Sequence, residues 1–306
     1  MSTQRPPALR RRTFLLSIAG AAGALALPTG ALAAPPTRPA LAFDGDALLL
    51  ARGGLKRITA DGEPGQALPV PGEISALASH PGRPGRILAA GAGALVLSDD
   101  GGKSWQVRDA GLPGARIQAI SIAAGAPDTF HAALAGDGLW QSEDAGLTWS
   151  FVMDRPWLAE AERDPLALAS VDLQTGMGGI WIYAGTERGL TRVPDCFCRW
   201  QDVQPGNAMD ALAAGDVPPP EAPLPTGEAV LALASAPSAP STLYAALPSG
   251  VWSSSDGGVV WAQAARGAAS ATAVHPADAR RVAAIIDDIL HLSRDGGASW
   301  TAIAAA

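Results

Sequence analysis

Apolar and polar positions alternate along this chain in short bursts. One stretch shows the pattern clearly: Ile74-Ser75-Ala76-Leu77-Ala78, then Ile87-Leu88-Ala89-Ala90, then Ala94-Leu95-Val96-Leu97, and finally Trp105-Gln106-Val107. Runs of this length, alternating or fully apolar, predict β-strands, and the Gly-, Pro- and Asp-bearing segments between them, such as His80-Pro81-Gly82, predict turns. Four short strands joined by three turns make one unit of antiparallel sheet. A weaker first copy runs through Ala40–Phe43, Ala47–Ala51 and Leu55–Thr59 to Asp61-Gly62 and a short strand near Leu68.

The last turn of the unit is where the repetition is easiest to see. Ser98-Asp99-Asp100-Gly101-Gly102-Lys103-Ser104-Trp105 returns as Ser142-Glu143-Asp144-Ala145-Gly146-Leu147-Thr148-Trp149, as Ser254-Ser255-Asp256-Gly257-Gly258-Val259-Val260-Trp261, and as Ser293-Arg294-Asp295-Gly296-Gly297-Ala298-Ser299-Trp300. A degenerate copy, Val193-Pro194-Asp195-Cys196-Phe197-Cys198-Arg199-Trp200, keeps only Asp195 and Trp200 in register. The chemistry is that of a hairpin turn. The Asp accepts hydrogen bonds from backbone N–H groups a few residues on, the fifth-position Gly permits positive φ, and the indole covers the turn.

These octapeptides match the Asp box of the bacterial neuraminidase repeat, and the chain resembles the Asp-box β-propellers. That group includes sialidases, xyloglucanases, sortilin-type receptors and photosystem II assembly factors, so the resemblance implies architecture far more than activity. It implies an all-β fold: a single propeller of four-stranded blades. The turn aspartates, Asp61, Asp100, Asp144, Asp195, Asp256 and Asp295, lie 39, 44, 51, 61 and 39 residues apart, which predicts six blades with insertions in the middle. Seven blades, the competing count, would need a unit hidden in Val203–Gly227. That stretch is rich in Pro and Ala, contains Pro218-Pro219-Pro220, and shows no alternating apolar run. It reads as a loop.

The N-terminus reads as an export signal. Arg10-Arg11-Arg12-Thr13-Phe14-Leu15-Leu16 resembles the twin-arginine motif, an apolar stretch runs from Phe14 to Leu27, and Ala31-Leu32-Ala33 is a small-residue cleavage site. The apolar stretch is shorter than the ~20 residues a membrane-spanning helix needs. Two segments are therefore expected: residues 1–33, a twin-arginine signal peptide, and residues 34–306, the propeller, periplasmic or secreted, with no stable membrane insertion after cleavage. Loss of residues 1–33 removes four of the 22 Lys+Arg and none of the 29 Asp+Glu, moving the net charge from −7 to near −11. So acidic a surface speaks against nucleic acid as a partner.

Insertions in a propeller have a direction. Links from strand 4 to the next strand 1 share a face with the 2–3 turns, and Met153–Pro165 and Val203–Gly227 are both such links, flanking the fourth blade. Pro156–Arg163 is expected to form about two helical turns, with Pro near the start. This loop-rich face supplies the binding candidates: Trp157, Glu160 and Arg163 from the insertion, with Asp137, Glu187, Arg188, Asp287 and Asp288 from 2–3 turns.

Catalytic chemistry is thin. Each of the four histidines falls on a repeat position: His80 and His275 before a Pro, His131 in line with Leu88, Tyr183 and Tyr244, and His291 in line with Val96, Trp140 and Trp252. Positions that alternate with Leu, Tyr or Trp are packing positions. Resemblance to the sialidases would require an arginine triad, a Tyr–Glu pair, an Asp acid and a Phe-Arg-Ile-Pro segment before the octapeptides; that segment is missing and Tyr183 and Tyr244 share one repeat position, so no catalytic residue is assigned, although Asp137, Glu187, Asp287 and Asp288 leave a glycosidase-like carboxylate pair as the minority reading. Cys196 and Cys198 replace the middle of the fourth octapeptide. A disulfide is the first expectation in an oxidising compartment, and a thiolate pair for copper(I) or zinc with a third ligand is the second. The expected function is non-catalytic binding or assembly of a protein partner, with a glycan-binding or glycosyl hydrolase-like propeller as the alternative and a copper(I)-binding protein as the lesser one.

Overall fold

The computed structural model describes residues 38–59, 62–91, 94–173, 175, 179–203 and 222–303. The export segment, Asp61 and most of Val203–Gly227 lie outside the described residues. Blade 1 is β1 (Ala40–Asp44), β2 (Ala47–Ala51), β3 (Leu55–Ile58) and β4 (Pro64–Leu68). Blade 2 is β5 (Ala76–Ser79), β6 (Ile87–Gly91), β7 (Ala94–Ser98) and β8 (Gln106–Val107), and blade 3 is β9 (Ile117–Ala123), β10 (Ala126–Leu134), β11 (Gly138–Ser142) and β12 (Ser150–Met153). A small hairpin, β13 (Trp157–Leu158) and β14 (Ala161–Glu162), precedes blade 4, which is β15 (Ala167–Val171), β16 (Trp181–Thr186) and β17 (Gly189–Pro194). Blade 5 is β18 (Ala232–Ala236), β19 (Ala239–Leu247), β20 (Gly250–Ser254) and β21 (Ala262–Arg266); blade 6 is β22 (Ala269–His275), β23 (Asp278–Ile286), β24 (Ile289–Ser293) and β25 (Thr301–Ala302).

Every blade is an antiparallel meander of strands consecutive in sequence. Each first strand touches the first strands of the blades on either side, and β22 touches β1, so six blades close a ring around an axis. The chain is a six-bladed β-propeller. Blade 4 departs from the pattern: its fourth strand is reduced to one bridge between Arg192 and Gln201. The blades hold together by burial between neighbours. Leu88, Leu95 and Leu97 of blade 2 pack against Ile120, Ile122 and Phe130 of blade 3. Two tyrosines add a polar stitch: Tyr183 Oη donates to Gly257 O across the blade 4–5 interface at 2.7 Å, and Tyr244 Oη to Ala279 O across the 5–6 interface at 2.9 Å.

The four good octapeptides share one hydrogen-bond scheme. Ser98 Oγ accepts from Gly102 N at 2.8 Å and donates to Asp100 Oδ1 at 2.8 Å. Asp100 takes the N–H groups of Lys103 and Ser104 at 3.0 and 2.9 Å, and the Ser104 hydroxyl at 2.6 Å. The seventh-position amide and hydroxyl contacts recur around Asp144 and Asp295, while Asp256 accepts the amides of Val259 and Val260 and no hydroxyl at this end, because Val260 stands where the hydroxyl residue would be. The buried amide, that of the fifth-position glycine, is thus satisfied by the Ser; the Asp organises the exposed rim. Gly101 and Gly102 have φ of 78° and 85°, the left-handed region where a Cβ is strained.

Three sequence expectations are corrected here. Pro156–Arg163 is a β-hairpin, with Trp157 opposite Glu162 and Leu158 opposite Ala161. Ala159 and Glu160 take φ of 49° and 61°, a two-residue hairpin turn, and the Arg163 guanidinium donates to the carbonyls of Leu158 and Ala159 at 3.1 and 3.2 Å. These pairings within the hairpin override the helical leaning of Ala and Glu. Asp195 does not play the octapeptide role: it accepts from Ile180 N at 3.1 Å, across the preceding hairpin. The indoles vary too. Trp261 and Trp300 donate within their own turns, to Gly258 O and Gly297 O at 2.7 and 3.1 Å, whereas Trp149 donates to Arg108 O at 2.7 Å and Trp200 to Asp154 O at 2.7 Å.

Two outcomes are expected from the turn geometry. Ser293→Ala leaves the buried Gly297 amide unpaired and should cost about 1–3 kcal/mol in urea unfolding, whereas Asp295→Ala, at an exposed carboxylate, should cost less. Hydrogen bonds from Ser104, Thr148 and Ser299 pull Asp100, Asp144 and Asp295 down to about 2 from 3.8. Their stabilising effect is full above the unfolded value and is lost as pH falls through the folded one. Melting temperature should therefore drop from pH 4 to pH 2, and the drop should be shallower in a triple Asp→Asn variant.

Candidate functional site

The axial channel is the first place to look for chemistry. At the end carrying the 1–2 turns it opens into a cavity of about 130 Å³ lined by residues such as Phe43, Ser79, Ser121, Ser170, Ser235 and Val274, with no Asp, Glu or His in the wall. At the other end a cavity of about 80 Å³ is lined by the starts of the inner strands, with Arg38 as its one charged residue and Gln118 beside it. Burial, helped by the nearby Arg116 charge, pushes the Arg38 guanidinium below its ordinary value. Among the described residues neither wall holds a carboxylate, so neither offers the carboxylate pair of a glycosidase centre.

The β13–β14 hairpin leads into β15, whose Ala167 and Leu168 line this second cavity. Asp164 roots it to blade 3, accepting from Gly136 N at 2.9 Å and from Gln118 Nε2 at 3.3 Å. Arg163 roots it to blade 4 through Glu187 at 2.6 Å. Arg155 clamps the base by pairing with Glu162 and with Asp164, the latter at 3.3 Å. Held this way, Trp157 keeps 65 % of its surface exposed, more than any other large apolar residue among the described ones.

The predicted face residues are distributed as follows. Trp157, Glu160, Arg163, Glu187 and Arg188 gather around the hairpin and the 2–3 turn of blade 4. Asp137 lies on blade 3 and accepts from Trp140 Nε1 at 2.5 Å. Asp287 and Asp288 sit on blade 6, where Asp287 accepts from Ala268 N at 2.8 Å and Asp288 pairs with Arg52 of blade 1 at 3.3 Å. The four carboxylates of the minority reading are thus spread over three blades, and each already has a structural partner. Sequence reasoning missed Arg155 and Asp164, whose roles depend on which blades the insertion touches. Cys196 and Cys198 are joined in a disulfide, with Phe197 between them at φ 51°. Among the described residues no group of three or more His, Cys, Asp or Glu converges to hold a metal.

The histidines serve the scaffold. His80 Nδ1 and His275 Nδ1 accept backbone N–H groups of their own turns at 3.2 Å each, and His291 lies against Ile289 O. His131 is 1 % exposed, and burial pushes it down to about 4.

No family model matches this chain, and no curated protein matches it. Solved structures match in fold. A GH74 enzyme from Niastella koreensis superposes with a TM-score of 0.58 at 15% identity, covering 87% of this chain and 45% of its own. The Cps50 (Swd1) β-propeller domain of Myceliophteria thermophila gives 0.51 at 14% identity, covering 82% and 94%. YCF48 from Cyanidioschyzon merolae gives 0.46 at 15% identity, covering 88% and 86%. The chain spans less than half the length of the GH74 enzyme, and at these identities the likeness is one of propeller fold.

If Asp164 roots the hairpin, Asp164→Ala should raise the rate of limited proteolysis within residues 155–163 several-fold while shifting the global melting temperature little. Cleavage spread evenly over all blades would show that the residue supports the whole ring instead.

Proposed function

We propose that this is an exported, non-catalytic β-propeller that binds a protein partner through the face bearing the β13–β14 hairpin. The observation that carries the reading is Trp157, an exposed indole on a hairpin fixed to two blades. A large aromatic held out rigidly loses little entropy on binding, and Trp is enriched among the residues that dominate interface energies. Glu160 and Arg188, both exposed, flank it and supply polar contacts at the rim. The carboxylates of the same face are engaged in structural bonds, which favours binding over hydrolysis.

Export to the periplasm rests on the twin-arginine-like N-terminus and agrees with a disulfide at Cys196–Cys198, a bond suited to an oxidising compartment. The alternative is glycan binding, favoured by the same exposed indole, which offers a sugar ring a flat apolar surface. Copper(I) or zinc at Cys196 and Cys198 is a lesser reading that requires both thiolates, hence prior reduction of their bond.

The test is cross-linking in native periplasm, followed by affinity measurement with the purified partner. Trp157→Ala should weaken binding by about 30-fold with the melting temperature unchanged. Unaltered affinity in both Trp157→Ala and Arg188→Ala would overturn the reading, and loss of soluble-glucan binding in Trp157→Ala would mark the glycan alternative.

A further inference from the structure

The six blades are near copies, so a side chain missing from one interface shows against the others. At the blade 2–3 interface, Arg86 stands one residue before the paired position Ile87–Ser98. Its side chain is 2 % exposed, its guanidinium meets Asp99 of its own repeat turn and Asp128 of blade 3 at 2.5 Å each, and its Nε donates to Pro127 O at 2.7 Å. The equivalent arginine of blade 6, Arg281, reaches Asp46 of blade 1 at 2.7 Å. In blade 5 the same place is Thr242, and the turn residue matching Asp99 is Ser255, so neither the cation nor its acid is there.

Blade 3 is different. Its residue at this place, one before the Phe130–Ser142 pair, is Thr129, yet its turn residue matching Asp99 is Glu143. The acid has been kept and the arginine has not. Where the guanidinium would lie there is a cleft of about 280 Å³ between blades 3 and 4, lined by Thr129, His131, Gln141, Glu143, Ile180 and Asp195 among others, with no Lys or Arg among the described residues of the wall.

A second observation, independent of the acids, points to a ligand. His131 occupies the position that Tyr183 and Tyr244 hold in blades 4 and 5, where the hydroxyl bonds the next blade. His131 is 1 % exposed, its Nδ1 lies 3.3 Å from Ser121 Oγ, and its Nε2 has no partner among the described residues. A buried polar atom left unpaired at a cavity wall is costly unless something occupies the cavity. Asp195 keeps one carboxylate oxygen on Ile180 N, and no hydrogen bond or ion pair engages Glu143 among the described residues.

We propose that this cleft is a seat for a guanidinium cation from outside the propeller, taking the place that Arg86 fills at the preceding interface. The wall supplies two carboxylates, an amide, a hydroxyl and an imidazole, a set rich in acceptors and matched to the planar array of N–H donors on a guanidinium. The cleft is open on one side to solvent, which leaves room for the head group and a path for its stem. A bare divalent ion is less well matched, since among the described residues His131, Glu143 and Asp195 share the wall without converging as a three-ligand group. A free small guanidine and an arginine side chain of a peptide share this chemistry.

The full chain is titrated by calorimetry with ethylguanidinium and, separately, with a short peptide containing one arginine, with tetramethylammonium as a cation lacking N–H donors. Binding of ethylguanidinium is expected, weakened about tenfold in Glu143→Gln, unchanged in Glu63→Gln at an exposed position of blade 1, and abolished in Thr129→Arg, whose melting temperature should rise as the tethered guanidinium fills the seat. Binding of the free cation alone assigns the seat to a small molecule, and tighter binding of the peptide assigns it to a protein segment. Equal binding of tetramethylammonium, or wild-type binding no tighter than Glu143→Gln, overturns the proposal. Glu143 is exposed, so its variant remains informative should Thr129→Arg fail to fold.

Discussion

The closure between the last blade and the first is the contact on which the ring depends. No strand is exchanged across it, because every blade is made of consecutive strands. What joins blade 6 to blade 1 is a shared core in which Leu41, Phe43, Leu48 and Leu50 meet Ala271, Ala273, Ile285 and Leu290. At its edge Asp46 takes both Arg281 and His275, the latter at 3.1 Å. Asp46 is 78 % exposed and its pairs are screened by water, so apolar burial holds the ring and the ion pairs fix its register. The ring closes by the same kind of contact that joins any two neighbours.

Repetition also decides where function has room. The third-position Asp of each good repeat turn is spent on hydrogen bonds within the turn, and the inner strands spend their side chains on a narrow channel. What remains is the fourth blade and its surroundings, where the repeat breaks down. There the turn has lost its glycine to Phe197, the outer strand has shrunk to a bridge, a hairpin has been added, and a cleft has opened against blade 3. Both functional proposals draw on this one irregular sector, on opposite faces of the ring.

The fold was legible in the sequence because its signals are local. Alternating apolar runs mark strands, the octapeptides mark the last turn of most blades, and the spacing of Asp61, Asp100, Asp144, Asp195, Asp256 and Asp295 gives the blade count. What was illegible depends on contacts distant in sequence. Pro156–Arg163 reads as helix by propensity, yet Arg163 with Glu187 and Asp164 with Gly136 hold it as a hairpin. His131 reads as a packing position and is one, but its unpartnered nitrogen appears only once blade 4 is set beside it. Asp195 keeps its place in the octapeptide and changes its work, because its partner Ile180 belongs to a different hairpin. The absence of an arginine at Thr129 was visible only after the blades had been aligned by pairing register.

Because each blade is a single unbroken segment, the propeller carries its own mode of ancestry. A duplication or deletion of about forty codons adds or removes a whole blade without re-threading any part of the chain, and the new neighbours meet through surfaces of a kind already in use. Copies made this way begin identical and then drift apart. The position that is Arg86 and Arg281 in blades 2 and 6 but Thr129 and Thr242 in blades 3 and 5 shows how far such copies can differ while the ring still closes.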